Sequence, residues 1–228
     1  MRSLTVLTFN VHHCEGLDGR IDVGRVADAI REAAPDVVAL QELDRGLPRS
    51  GGVDQPAVLA EALGLRVEFH AALSRAGGEY GMAVAAAGPF TSERILLPRL
   101  GLEEPRIAVL ARFEDWTLVA THLSTHTRSR RAQTAALGAI AAGLEGPLVV
   151  CGDLNQGRRT LTPLTAAGLV VGPEGPPTLL RGLRRRAIDH VLARPPLEVR
   201  RRYTVSGEAS DHLPLAAEVA PAGSGRLR

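Results

Sequence analysis

At 228 residues the chain can bury roughly 70% or more of its unfolded surface in one core, and no run of apolar residues approaches the roughly 18 needed to cross a bilayer. Aromatic residues make up only 3% and the net charge is +2, which argues against the broad basic, stacking-rich face that duplex nucleic acid requires. The 2 cysteines, Cys14 and Cys151, form no CxxC or Cys/His spacing, so neither a disulfide framework nor a zinc site is expected.

Met1-Arg2-Ser3 leads straight into a strand without a signal-peptide pattern, and a cytoplasmic protein with no transmembrane segment is expected. In chain order, strands are predicted over Leu4 to Val11, Asp36 to Leu40, Trp116 to Leu123, Leu148 to Cys151, Ala187 to Ala193 and Leu213 to Val219. Further strands fit Arg66 to His70, Met82 to Ala87, Ile95 to Leu100, Arg106 to Phe113 and Val199 to Val205. Helical spacing of Ile21, Val26, Ala29, Ile30 and Ala33 predicts a helix over Ile21 to Ala34, closed by Pro35. Two more fit Gln55 to Leu63, stopped by Gly64, and Arg128 to Leu144, stopped by Gly146-Pro147. Strand pairs alternating with isolated helices suit an α/β fold of two face-to-face mixed sheets with helices outside, better than one doubly wound sheet. With no linker or fixed-period repeat, residues 1–220 are expected to form one domain, a monomer, and Pro221 to Arg228 a loose tail.

Several strands end on a polar group: Asn10, Gln41-Glu42, Thr121-His122, Gly152-Asp153-Leu154-Asn155, Ile188-Asp189-His190 and Ser210-Asp211-His212. Glu42 and Asp211 supply hard anionic oxygens and Asn10 a neutral one, a sparse set of the kind Mg²⁺ takes when a phosphate completes its shell. Such a metal polarises the phosphoryl oxygen and neutralises the leaving group. Asp153 suits orienting or deprotonating the attacking water, and Asn155, two residues on, faces the same way if the backbone is extended. Asp189 is the candidate that fixes the tautomer of His212, whose imidazole meets the phosphate, with His122 a second donor to the developing charge.

Taken singly, each residue has a plainer reading. Asn10 resembles a strand-end turn, Glu42 a solvated carboxylate and Gly152-Asp153 a common turn. His13 and His70 show no partner in the sequence and read as structural, while His12 and His126 lie close enough to site residues to support them. His190 follows Asp189 on a strand and should point to the opposite face. All 27 basic residues are arginine. The clusters Arg128/Arg130/Arg131 and Arg200-Arg201-Arg202 read as solvated faces, whereas Arg184-Arg185-Arg186, just before Asp189, is placed to stand at the rim of the site.

Thr8-Phe9-Asn10-Val11, Gln41-Glu42-Leu43-Asp44-Arg45, Thr121-His122-Leu123, Gly152-Asp153-Leu154-Asn155, Ile188-Asp189-His190-Val191 and Ser210-Asp211-His212-Leu213-Pro214 resemble, in order, the motifs of the endonuclease/exonuclease/phosphatase superfamily, the DNase I-like fold. The resemblance implies a four-layer α/β/β/α sandwich, dependence on Mg²⁺ or Mn²⁺, Asn10 and Glu42 on the metal, and Asp153, Asn155 and His122 around phosphate and nucleophile. The Asp189-His212 pair stands beside them, and either Asp153 or His212 takes the water's proton. Two departures stand out. Met82 occupies the place where many members carry an asparagine that holds the phosphate, and His12-His13 follows the Asn-Val pair where the apurinic endonuclease branch tends to carry an acidic or amide residue and a glycine. Arg49-Ser50-Gly51-Gly52-Val53-Asp54-Gln55 and Glu104-Pro105-Arg106 are similar to segments of the bacterial phosphohydrolase branch, which places Arg106 near the phosphate.

The function expected is therefore hydrolysis of a phosphomonoester or phosphodiester on a small molecule, lipid headgroup or sugar. A nuclease of the same superfamily is the alternative. A catalytically weakened phosphate-binding protein, motivated by Met82 alone, comes third.

Overall fold

The structure, a computed structural model, describes residues 2–180 and 185–223. In chain order its elements are β1 (Leu4–Asn10), α1 (Val23–Ala33), β2 (Val37–Arg45), α2 (Gln55–Leu63), β3 (Arg66–Arg75), β4 (Gly78–Ala86), β5 (Thr91–Leu96), β6 (Ile107–Arg112) and β7 (Thr117–His122). There follow α3 (Thr127–Gly143), β8 (Leu148–Asp153), α4 (Thr162–Ala166), β9 (Val170–Val171), β10 (Asp189–Ala193), β11 (Leu197–Thr204) and β12 (Leu215–Pro221). The strands form two six-stranded mixed sheets, ordered β11-β12-β1-β2-β4-β3 and β5-β6-β7-β8-β10-β9. This is the DNase I-like α/β sandwich.

Three apolar layers hold it together. The central one lies between the sheets and takes Val6, Val37 and Ala217 from the first, and Leu118, Ala120, Val149, Cys151 and Val191 from the second. Outside the first sheet, Leu7, Phe9, Val38 and Leu40 pack on Val26 and Ile30 of α1 and Leu59 of α2. Outside the second, Val119, Leu148 and Val150 pack on Leu137 of α3 and Leu164 of α4. Successive strand residues point to opposite faces, so each of these strands must be apolar on both sides, and the near-continuous Val, Leu and Ala runs follow from that.

The helix ends are set locally. Asp22 accepts the N–H of Arg25 ahead of α1 and Asp54 that of Ala57 ahead of α2, caps of the kind worth about 1 kcal/mol each. Ala34 and Gly64 close the same helices in the left-handed conformation.

The structure shifts several predicted boundaries. β2 runs on to Arg45 instead of stopping at Leu40, because a bulge between Gln41 and Leu43 lets it keep pairing with β4. The strand expected over Ile95 to Leu100 lies at Thr91–Leu96. Pro98 has no N–H to donate, and β5 is an edge strand, where polar Thr91, Glu93 and Arg94 are well placed. The short α4 and β9 have too little periodicity to stand out in sequence. Pro221, the expected start of the loose tail, closes β12, and residues 224–228 lie outside the described residues. Among the described residues no helix is long and apolar enough to cross a membrane.

Candidate active site

Alternation along the strands explains where the polar side chains go. In β7 the inner-face series Leu118, Ala120 continues to His122, and in β8 the series Val149, Cys151 continues to Asp153. In β10, Ala193 and Val191 lead back to Asp189. Register then lines these three up, with His122 opposite Asp153 across the parallel β7/β8 pair and Asp189 opposite Asp153 across the antiparallel β8/β10 pair. Asp153 therefore stands in the middle of a row of three adjacent strands. The facing sheet answers with Asn10 at the end of β1, Glu42 in β2 and His212 just before β12, again from three adjacent strands.

Two backbone features make the convergence possible. Leu40 faces outward and Gln41 inward, so simple alternation would send Glu42 to the outer face; the bulge puts Glu42 at φ +62° and turns it inward instead. On the other sheet, Gly152 sits at φ +146°, and a Cβ there would come within 1.9 Å of the Thr121 carbonyl oxygen. Only glycine lets β7 and β8 close up next to Asp153.

The side chains meet around Asp153 Oδ2. The Asn10 Nδ2 group donates to it at 3.1 Å and to Glu42 Oε1 at 2.8 Å. His122 Nε2 lies 3.5 Å from the same Asp153 oxygen and 3.8 Å from Glu42, and His212 Nε2 lies 3.7 Å from it. Ser210 Oγ donates to the Asn10 carbonyl at 2.8 Å, tying the loop of Asp211 and His212 to the end of β1. The ligating atoms of Asp153, Asp189 and His212 all lie within 4.8 Å of one another.

Burial and neighbouring charge set the protonation states. Burial pushes the Asp153 carboxyl up to about 7, with help from the charge of Asp189 and against His212 and two hydrogen bonds. Burial pulls His212 down, but the charge and the 2.9 Å hydrogen bond of Asp189 outweigh it and push the imidazole up to about 10. His122 goes the other way. Burial first, then Arg106 and His212, hold it well below its ordinary value, so it is neutral at pH 7. Arg106 Nη1 lies 3.3 Å from His122 Nδ1. A guanidinium only donates, so Nδ1 accepts and the ring proton sits on Nε2, aimed at Glu42 and Asp153.

Arg106 also reaches the Tyr80 hydroxyl at 3.3 Å. Met82, where a phosphate-holding amide was the expected residue, is buried in the core between the sheets; a cavity of about 10 Å³ lies among Tyr80, Met82, Arg106 and His122. Tyr80, between Glu79 and Gly81, lies just ahead of the strand predicted over Met82 to Ala87 and carries no local signal in the sequence. The Asp44–Arg49 pair was also missed. Asp44 is fully buried and holds Arg49 by two bonds of 2.6 and 2.7 Å, which pins the loop after Glu42.

Other expectations resolve individually. Asn155 is not on an extended backbone, because β8 ends at Asp153 and Asn155 turns left-handed at φ +51°. Its N–H donates to Asp153 Oδ1 and its Nδ2 to the Leu123 carbonyl, both at 2.9 Å, so it braces Asp153 and the end of β7. Gln41 is structural, its amide bonded to Thr8 and Ala39. The partners of His13 and His70 are Glu15 and Ser92. The His12 N–H donates to Asn10 Oδ1, and His190 is buried with Nε2 on the Gln156 carbonyl. Arg200 and Arg201 pair with Glu198 and Glu218 on the sheet surface, whereas Arg202, expected on a solvated face, turns inward to the carbonyls of Gly172 and Pro173. Of the Arg184-Arg185-Arg186 triplet expected at the rim, Arg184 lies outside the described residues and Arg185 and Arg186 are exposed.

The donor set fits a hard divalent cation. Glu42 and Asn10 meet at 2.8 Å, and the buried carboxylate of Asp211 follows Ser210, whose hydroxyl is tied to the Asn10 carbonyl, so two carboxylates and one amide stand at the end of β1. The Asn10 amide presents its nitrogen to Glu42 and Asp153, its oxygen being held by His12; an oxygen ligand at this position requires the two amide atoms to change places.

The sequence matches the Endonuclease/Exonuclease/phosphatase family over residues 7–212. An endonuclease/exonuclease/phosphatase from Beutenbergia cavernae is 26% identical and superposes with a TM-score of 0.82, covering 98% of this chain and 73% of the other. The mannosyl-6-phosphatase of Bacteroides thetaiotaomicron is 17% identical with a TM-score of 0.71 over 95% of this chain and 99% of its own. The human Nocturnin catalytic domain, which carries a bound sulfate anion, is 21% identical with a TM-score of 0.72 over 96% and 94%. No curated protein matches the sequence.

Proposed function

The chain belongs to the Endonuclease/Exonuclease/phosphatase family, and from that premise we propose that it is a divalent-cation-dependent phosphoester hydrolase acting on a small-molecule, lipid-headgroup or sugar phosphate. The observation that carries the proposal is the position of Asp153 Oδ2, with Asn10 at 3.1 Å, His122 at 3.5 Å and His212 at 3.7 Å, drawn from both sheets. Water attacks phosphorus, its oxygen forms the new P–O bond, and the bond to the leaving alcohol breaks. Asp153, pushed up to about 7, is the better base for the water's proton. His212, held cationic by Asp189, and the Nε2–H of His122 donate to phosphoryl oxygens as charge builds. Arg106 sets the His122 tautomer and stands close to the phosphate, and Asn155 braces Asp153. Mg²⁺ or Mn²⁺ held by Glu42, Asn10 and Asp211 would neutralise charge on the phosphoryl group and leaving oxygen.

A small substrate is favoured over nucleic acid by the 3% aromatic content and the +2 net charge, and a sugar-phosphate substrate also agrees with the structural likeness to the mannosyl-6-phosphatase of Bacteroides thetaiotaomicron. The test is a panel of phosphomonoesters, phosphodiesters, duplex DNA and abasic DNA, each with Mg²⁺ and with Mn²⁺. Hydrolysis of small phosphoesters with no salt-sensitive DNA binding is the expected result. Cleavage of DNA alone would move the assignment to a nuclease. Inactivity across the panel without divalent-cation binding would make the chain a phosphate-binding protein.

A further inference from the structure

A second gathering of ligand-type side chains lies just beyond the end of β1, apart from Asp153, Asp189 and His212. His12, His13 and Glu15 each bring one ligating atom, and the three atoms lie within 4.8 Å of one another. His13 Nε2 is 3.1 Å from Glu15 Oε2, and the rings of His12 and His13 stand 4.5 Å apart, centre to centre. His13 is buried, whereas His12 and Glu15 are partly exposed, so the cluster has a fixed floor and an open side through which a small ion can enter.

A tight turn of unusual backbone brings the three together. His12, His13 and Cys14 lie at φ +46°, +45° and +62°, a left-handed run that is disfavoured for any residue carrying a Cβ. Its restraints come from elsewhere in the fold. Cys14 is buried in the apolar layer that packs on α1, the Gln55 side-chain amide donates to the His13 carbonyl at 2.6 Å, and the Asp22 N–H donates to the Cys14 carbonyl at 2.9 Å. None of these restraints uses an imidazole. Glycine or asparagine would sit in such a turn with less strain, so two histidines side by side here point to a task for their rings.

Two imidazoles and one carboxylate are a donor set for zinc and its neighbours in the transition series, whereas Mg²⁺ takes oxygen. Bonds of about 2.0–2.2 Å place two ligand atoms of a tetrahedral ion roughly 3.3–3.5 Å apart, close to the separation already found between His13 and Glu15. The ion takes the place of the proton these two share, leaving the ring proton of His13 on Nδ1. His12, being partly exposed, has room to rotate the rest of the way.

We propose that His12, His13 and Glu15 form a second cation site, for a borderline-soft divalent ion of the Zn²⁺ class with water completing its shell. Cys14 is turned into the core and takes no part, so the lack of a CxxC or Cys/His spacing does not bear on it. The site touches the hydrolytic one through the His12 N–H, which donates to Asn10 Oδ1 at 3.1 Å, so an ion that fixes the turn also steadies Asn10.

Zn²⁺ binding by the full chain, stripped with EDTA and dialysed into excess Mg²⁺, is measured by calorimetry for the wild type, His12→Asn, Glu15→Gln and Glu42→Ala. Asparagine keeps the left-handed backbone without the imidazole, and thermal melts check that each variant is folded. The wild type is expected to bind one Zn²⁺ in this buffer. His12→Asn and Glu15→Gln should each weaken binding by at least about tenfold, and Glu42→Ala should leave it unchanged within about twofold. Co²⁺ gives a second readout on the wild type, where the ring protons of both His12 and His13 should take large paramagnetic NMR shifts. No Zn²⁺ binding in excess Mg²⁺, unchanged affinity in either cluster variant, unshifted His12 and His13 rings, or loss of binding in Glu42→Ala would overturn the site. If the binding and its dependence on His12 and Glu15 hold but no phosphoester is hydrolysed, the second site stands and the hydrolase reading falls.

Discussion

His212 Nδ1 lies 2.9 Å from Asp189 Oδ2, and both residues are almost completely buried. Asp189 keeps the imidazole charged inside the protein, and the other ring nitrogen is thereby presented to Asp153 as a donor. In the proposed mechanism this contact makes His212 the proton donor and leaves Asp153 to take the water's proton.

The pair also gives stability a pH dependence. The folded-state value of His212 is raised from 6.5 to about 10, so its contribution is fully present below 6.5 and is lost as pH rises through about 10. Asp153, raised from 3.8 to about 7, acts in the same direction at lower pH, because the folded state binds the proton more tightly than the unfolded chain does. Melting temperatures in EDTA are expected to fall steadily from pH 6 to about pH 10. Asp189→Asn should flatten the upper half of that slope. A wild type whose melting temperature rises over this range, or a variant with the same slope, contradicts the assignment.

His122 is predicted to act as a neutral donor. Replacing it with alanine should lower kcat by about 10²–10³, the usual loss when one donor to a developing oxyanion is removed. Arg106→Met should give a smaller loss, since the donor remains but its tautomer is no longer held. Steady-state kinetics on both variants checks the order of the two effects; an Arg106→Met defect larger than that of His122→Ala would mean that Arg106 acts on substrate directly.

Arg49→Ala leaves the fully buried Asp44 without its bidentate partner. Losing one member of a buried pair costs about 3–5 kcal/mol, and the partial exposure of Arg49 reduces this to about 2–3 kcal/mol. Urea denaturation with an unchanged m value is the measurement; a shift below about 0.5 kcal/mol would show that solvent replaces the guanidinium.

Gly152→Ala places a methyl group 1.9 Å from a backbone oxygen that has no side chain to move. A loss of about 3 kcal/mol or more is expected, together with loss of activity, because β7 and β8 carry His122 and Asp153. A variant of wild-type stability with separated site residues would contradict the link between close strand approach and site geometry.

Both thiols should be inert in the folded protein. Burial raises Cys14, and raises Cys151 to about 12, so neither offers a thiolate at pH 8. Thiol titration is expected to give no fast reaction in buffer and to reveal both cysteines in urea.

Much of this architecture was readable from residue order. Period-two alternation ends in His122, Asp153 and Asp189, and it explains why His190, one position on, belongs to the other face. The same rule fails at Glu42, whose inward turn depends on a bulge set by β4 across the sheet, and at Asn155, where the strand has already ended. Tyr80 and the Asp44–Arg49 pair carry no local signal; their meaning lies in neighbours brought near by the fold. Arg202 shows the limit of reading charge runs, since a register shift between Val199 and Arg201 breaks the alternation of the strand and only one of three consecutive arginines turns inward.

The central claim is that groups from both sheets converge on one divalent cation and one phosphoryl group, and the Mg²⁺ dependence of phosphoester turnover in the wild type and Glu42→Ala tests it most directly. The account predicts saturable activation of the wild type, no turnover in EDTA, and a Glu42→Ala variant slowed by about 10²-fold or more and partly restored by higher Mg²⁺. Turnover that persists in EDTA, or a Glu42→Ala enzyme with the Mg²⁺ profile of the wild type, would contradict it.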